Sequence, residues 1–187
     1  MIESETRENI LDESFHQFID RSYQKVSIDS ICSELGISKG AVFHYFNSKY
    51  DLACESLFEG FNKLWSPHLK QIMSKETPQA QLKQFIRSSV QMFMEYPKLR
   101  RFSFEIYEEG IERNDRNTQC LKSYRDHLDH ATKLYQACGL SDCEERARIL
   151  IASLDGLPFL VISDKSNRRL DADEISKALV KLFVPES

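Results

Sequence analysis

The sequence is poor in the residues that interrupt helices, with Gly 6 and Pro 5 in 187 residues. That scarcity argues against a loop-rich or all-β chain, and no period-two alternation marks a strand. Cysteine is sparse too: Cys32, Cys54, Cys120, Cys138 and Cys143 are an odd number at wide spacings. Such spacing predicts reduced thiols in a cytoplasm rather than a disulfide framework, with packing as their role. No CxxC pair supports a zinc or thioredoxin-like site. The longest apolar stretch, Ile149 to Ile162, is broken by Asp155 and Pro158 and is too short to span a bilayer. The opening "MIESETRENI" lacks the basic-then-apolar form of a secretory signal. A cytoplasmic protein without a membrane partner is therefore expected. The net charge of −4 predicts no general attraction to nucleic acid. GxSxG, HExxH, a phosphate-binding glycine loop and a paired acid–base set are all missing, so neither an enzyme nor a metal or other cofactor is expected.

What the chain does have is helical periodicity almost from end to end, and an all-α fold of about nine helices is predicted. Leu11, Phe15, Phe18 and Ile19 share the first face. Ser27 is placed to cap a second helix carrying Ile28, Ile31 and Leu35, and Gly36 stands where a helix C-terminus takes a left-handed residue. Ser38 can cap a third helix, Lys39 to Tyr45. Ser48 with Asp51 reads as a capping box opening a fourth, which Ser66-Pro67 is expected to end. Thr77-Pro78 starts a fifth that stops at Tyr96-Pro97, and a sixth ends near Gly110. A seventh is expected over about 117–139, an eighth over roughly 142–163, and a ninth over roughly 172–183, with "DKSNRRLDAD" as the last loop.

Two short helices about a glycine turn form a helix-turn-helix, whose second helix lies in the DNA major groove. Ile31, Leu35, Ile37, Val42 and Phe46 would lock it to the first helix, and the small Cys32 suits a close crossing. Lys39, Gly40, Ala41, Phe43, His44 and Tyr45 would remain outward.

The run from "RENILDESFHQFIDRSY" through "SIDSICSELGISKGAVFHYFNSKYDL", Arg7 to Leu52, resembles the DNA-binding domain of TetR-family transcriptional regulators. The Gly-apolar-Ser-x-Gly turn, the apolar-aromatic-x-Tyr-Phe segment and Ser-Lys-x-Asp-Leu follow one another without gaps. The resemblance implies an N-terminal DNA-binding domain, 1–49, and a C-terminal ligand-binding and dimerisation domain, 50–187. It also implies that Lys39, Gly40 and Ala41, behind their cap Ser38, meet base edges. His44 would face the groove, and Phe43 stands in place of a more usual tyrosine. Tyr45 and Lys49 would meet phosphates, the latter helped by a helix dipole. Ser27, Ile28 and Asp29 open the second helix, where the family touches DNA backbone and sometimes a base. Lys39 can donate to guanine O6 and N7, and Asp29 can accept from cytosine N4.

Four residues depart from the family pattern, among them Asp29, which puts negative charge near DNA. Ser22 replaces a favoured glycine, Ala41 a common threonine, and Phe43 a tyrosine. In 1–49 the bases Arg7, Arg21, Lys25, Lys39 and Lys49 are outnumbered by Glu3, Glu5, Glu8, Asp12, Glu13, Asp20, Asp29 and Glu34. From Gly36 to Lys49 the balance reverses, with Lys39, His44, Lys49 and no acid. A modest salt dependence of DNA binding follows.

The resemblance places an effector cavity among the aromatic stripes, with candidates Phe61, Trp65, Phe85, Ser89, Met92, Phe93, Phe102, Glu105 and Tyr124. Such a lining suits a small, largely apolar effector. His127 and His130 sit three apart, as two metal ligands would, but Asp126 and Asp129 alternate with them and predict a solvated polar face. The last two helices carry more apolar surface than one domain needs. Ile151, Leu154, Gly156, Leu157, Leu160, Ile175, Leu179, Leu182 and Phe183 are the expected homodimer interface, an intersubunit four-helix bundle. A ligand-responsive regulator, most simply a repressor on a near-palindromic operator, is the expected function. The alternative is a helical sensor or protein-interaction module with little specific DNA binding.

Overall fold

The computed structural model describes residues 2–115, 121–163 and 171–185. Among them there are nine α-helices and no strand: α1 (Ile2–Arg21), α2 (Ile28–Leu35), α3 (Lys39–Tyr45), α4 (Lys49–Met73), α5 (Pro78–Glu95), α6 (Pro97–Glu112), α7 (Lys122–Ala137), α8 (Cys143–Ser163) and α9 (Ala172–Phe183). A 3-10 turn at Tyr23–Lys25 joins α1 to α2. No described helix is long and apolar enough to cross a membrane. The residues form two compact units, 1–63 with 101–123 and 64–100 with 124–187.

The first unit is built on α1. Ile10, Leu11, Phe15 and Phe18 are buried with Ile31 of α2, Val42 of α3, Phe46, Leu52 and Leu57. Phe102 of α6 joins this core, stacked on Phe18 at 5.2 Å and edge-on to Phe15 at 6.4 Å. The last carbonyls of α1 have no partner within their own helix. Arg101 supplies one, donating to the Ile19 carbonyl at 2.6 Å, and Glu105 accepts from the Tyr23 backbone N–H at 2.6 Å. Between these points Ser22 holds φ 84 and ψ 147, a conformation that suits glycine. Where the resemblance marks glycine as favoured, the serine bears that geometry.

The second unit is organised around α5. Thr77 caps it, accepting from the Ala80 N–H at 3.2 Å, with Pro78 in the first turn. Leu82, Phe85, Ile86, Val90, Met92 and Phe93 bury most of its circumference, and it packs on α8 and α9. Arg100 forms an enclosed ion pair with Asp155 and lies over the Phe93 ring at 5.2 Å from its centroid.

Several expectations are corrected. Pro67 does not end α4, which runs on to Met73. The proline removes one helical hydrogen bond and strains its turn, at a cost of about 3 kcal/mol. Burial of Trp65 and Ile72 on either side offsets it, at about 1.5–3 kcal/mol for each apolar side chain. Ile151, Leu154 and Leu157 are not surface residues awaiting a second copy: they are buried within the chain, where α8 packs on α5. Cys54 is disulfide-bonded, against the expectation of reduced thiols, whereas Cys32, Cys138 and Cys143 are free. Cys120, residues 117–120 of the expected seventh helix, and residues 164–170 of the last loop lie outside the described residues.

Candidate functional site

The helix-turn-helix is set by its caps. Ser27 Oγ accepts from the Ser30 N–H at 3.1 Å, and Ser38 Oγ from the Ala41 N–H at 3.2 Å. Gly36 takes φ 64 and ψ 30, and the Ile37 N–H returns to the Cys32 carbonyl at 3.0 Å. A left-handed residue at this point turns the chain in one step, which an L side chain would resist. The Asp51 N–H donates to Ser48 Oγ at 3.0 Å, and Asp51 in turn accepts from the Asn47 N–H, one residue before the usual capping-box partner.

These constraints orient α3. Val42 and Phe46 are buried, whereas Lys39, Gly40, Phe43 and His44 are exposed and Ala41 and Tyr45 half-buried. Phe43, at 49% exposure, is an aromatic ring presented to solvent rather than to the core. Tyr45 packs edge-on against His44 at 4.9 Å. A Cβ built on Gly40 would meet only Ser38 Oγ, at 3.6 Å, an ordinary contact. Nothing inside the protein therefore requires glycine there. On α2, Ser27 and Asp29 are exposed and Ile28 is half-buried. Lys39 Nζ forms an ion pair with Asp29 at 2.8 Å.

Lys49, which the resemblance expects at a phosphate, packs on the protein itself. It is half-buried, with Nζ 4.3 Å from the centre of the Tyr23 ring. Burial pushes its pKa down, and Glu109 and Glu105 oppose the shift. Arg7 braces the same region, pairing with Glu55 and lying over the Phe46 ring at 5.3 Å. Gln17 was not singled out in the sequence, yet its amide accepts from Ser30 Oγ at 2.8 Å and donates to the Ser30 carbonyl at 3.3 Å. Its place beside Ser14 and Phe18 on the buried stripe of α1 is the signal that marks it.

The effector candidates divide between the units. Phe61, Phe102 and Glu105 belong to the first, where Phe102 is core and Glu105 holds the Tyr23 backbone. Trp65, Phe85, Ser89, Met92, Phe93 and Tyr124 belong to the second. There the central residue is His127, which is buried rather than solvated. Its ring lies 4.6 Å from both Trp65 and Phe85 and 6.2 Å from Phe93, and Nε2 is 3.3 Å from Ser89 Oγ. Burial, followed by His130 and Arg100, pushes its pKa down to about 3, so the ring is neutral at ordinary pH. Helix phase places it inward with Ala131 and Leu134, and the flanking aspartates face out. His130 packs edge-on to Phe85 at 5.4 Å. The pair is thus part of an aromatic cluster, not a charged face.

The expected dimer residues also separate. Gly156 and Leu160 of α8 are exposed beside Ile149 and Phe159, and Leu182 of α9 is 76% exposed. Ile175, Leu179 and Phe183 are half-buried.

Comparison with known proteins bears on both units. The family profile "Bacterial regulatory proteins, tetR family" matches residues 10–55, which holds the helix-turn-helix. A curated relative, an uncharacterized helix-turn-helix-type transcriptional regulator in the lacX 3′ region of Lactococcus lactis subsp. lactis, is 34% identical over 83 residues. That match covers 43% of this chain and 42% of the relative, so the chain spans less than half the length of the curated relative it matches. Among solved structures, a candidate TetR-family transcriptional regulator from Mesorhizobium loti MAFF303099 superposes with a TM-score of 0.72 at 17% identity, covering 98% of this chain and 96% of that one. A candidate transcriptional regulator from Saccharomonospora viridis, in complex with choline, superposes with a TM-score of 0.70 at 22% identity, covering 96% and 95%. At these identities the two structures speak to the fold alone.

Proposed function

We propose, from the match of residues 10–55 to the TetR-family profile, that the chain is a TetR-family transcriptional regulator, a ligand-responsive repressor that binds a near-palindromic operator as a homodimer. The observation that carries this reading is the division of α3: Val42 and Phe46 are buried, while Lys39, Gly40, Phe43 and His44 stand outward. A seven-residue helix whose outward side carries a cation, a glycine and two rings has little use in packing. It has the width and chemistry of a base-reading element.

Two copies joined through the exposed apolar residues of α8 and α9 would present two such helices to successive major grooves, about 34–36 Å apart. Gly156 favours close approach there, since nothing lies within 4 Å of a Cβ built on it. The effector would enter the aromatic cluster around His127, with Ser89 and the Arg100–Asp155 pair as polar anchors. A small, largely apolar molecule suits that lining. Release from DNA then needs only a difference in effector affinity between two arrangements of the regulator.

The test is fluorescence anisotropy with the promoter fragment upstream of the gene and a scrambled control, at two salt concentrations. Selective binding that Lys39→Ala and Tyr45→Phe weaken supports regulation. Equal, weak binding to both duplexes favours instead a sensor or interaction module, the reading to which the acidic residues of 1–49 point.

A further inference from the structure

The Asp29–Lys39 pair joins the start of α2 to the start of α3 on the side presented to DNA. Both side chains are exposed, 67% and 56%, and Nζ lies 2.8 Å from the Asp29 carboxylate. An exposed pair of this kind contributes little to folding, so its value lies elsewhere. Helix α3 itself carries no carboxylate to hold the lysine.

We propose that Asp29 is a specificity-determining residue: paired with Lys39, it forms a cation–anion doublet that reads one G·C base pair and withholds the lysine from phosphate. The inference rests on the DNA-binding reading above. In the major groove a G·C pair presents the acceptors N7 and O6 of guanine and then the amino donor N4 of cytosine. The ammonium can bridge the two acceptors while the carboxylate beside it takes the amino hydrogen that faces the groove. An A·T pair interposes its N6 donor between the acceptors N7 and O4, so the ammonium finds no adjacent pair of acceptors.

Phosphate is disfavoured by the same arrangement. A lone lysine binds phosphate on any sequence and releases counterions in doing so. With a carboxylate 2.8 Å away, bringing Lys39 to a phosphate brings a negative charge with it. The doublet thus lowers the sequence-independent part of binding and keeps the part that depends on the base.

The experiment is selection from a randomised duplex library with the full chain and with Asp29→Ala, Asp29→Asn and Lys39→Ala, followed by titration of the selected and scrambled duplexes across salt. The unmodified chain is expected to select one invariant G·C position per half-site. Asp29→Ala should relax that position by at least about fivefold and leave the others. Its binding to scrambled duplex should tighten, with a salt slope steeper by about 1 per subunit. Asp29→Asn should show the same rise on scrambled duplex but keep part of the G·C preference, because its amide oxygen still accepts from N4. Lys39→Ala should lose the same position. Far-UV melting curves establish that each variant is folded. An Asp29→Ala profile identical to that of the unmodified chain overturns the proposal, whatever its affinity for scrambled DNA. A chain that selects no sequence at all overturns the regulator reading, and this inference with it.

Discussion

Replacing Ser22 by glycine should make the protein more stable. Ser22 holds φ 84 and ψ 147 between α1 and the 3-10 turn. Its backbone is pinned on both sides: its N–H donates to the Phe18 carbonyl at 3.0 Å, and its own carbonyl accepts from the Lys25 N–H at 3.2 Å. Its side chain makes no capping hydrogen bond that would repay the conformation. A non-glycine residue in such a region costs about 1–3 kcal/mol. Glycine removes that cost but loses more freedom on folding, about 0.5–1 kcal/mol. The balance favours Ser22→Gly by about 0.5–2 kcal/mol, a rise in melting temperature of a few degrees for a chain of this length. Ser22→Ala keeps the strain and should change little. Urea and thermal denaturation followed by far-UV circular dichroism measure both. A glycine variant equal to or less stable than the parent refutes the claim that the chain stores strain at this turn.

Gly40→Ala should stabilise the fold by up to about 0.5–1 kcal/mol, because the new methyl has room and favours helix. The same methyl should weaken binding to the selected duplex at least tenfold if the backbone approaches DNA there; anisotropy and urea titration together show whether the two effects oppose. Between pH 6.5 and about 3 the unfolded chain holds a proton on His127 that the folded chain excludes, so stability should fall as pH falls through that window. The slope from this group is at most about 1.4 kcal/mol per pH unit, and His127→Gln should flatten urea midpoints measured between pH 7 and 5. Leu160→Glu with Leu182→Glu should convert a dimer into a monomer in analytical ultracentrifugation without lowering helicity, since both side chains are exposed. Trp65, the single tryptophan, lies against His127 at 4.6 Å, so its emission should shift when an effector enters the cluster, and a ligand that releases DNA without moving it argues for another site.

The local signals in the sequence were legible because their physics is local. Ser27, Ser38 and Thr77 each accept the N–H three residues on, and Gly36 is left-handed, as their positions foretold. The inward side of α3 could be read for the same reason: Val42 and Phe46 are the apolar residues there. What could not be read depends on neighbours. Helix α8 is apolar around much of its circumference, so its own pattern does not say which stripe α5 covers. Ile151, Leu154 and Leu157 went inward, while Ile149, Phe159 and Leu160 stayed out. His127 sits in a polar stretch, and only the rings of Trp65, Phe85 and Phe93 make a buried neutral imidazole tolerable. Pro67 reads as a stop until the burial of Trp65 and Ile72 is known. The packing of Lys49 over Tyr23 is not legible either, since it depends on a ring that the local pattern does not place beside it.

The unit that carries the helix-turn-helix is assembled from two stretches of chain separated by the whole of 64–100. Phe102, Arg101 and Glu105 reach the ribosome exit only after that interval, roughly 2–8 s behind Lys63 at ordinary rates of synthesis. Until then the nascent chain displays Phe15 and Phe18 without the ring that covers them, and α1 ends on carbonyls still bonded to water. A fragment cut at residue 63 would be frozen at that stage. The reading head of this protein is thus finished late in its own biosynthesis, and a premature stop codon anywhere between residues 63 and 101 would leave a sticky intermediate rather than a small working DNA binder.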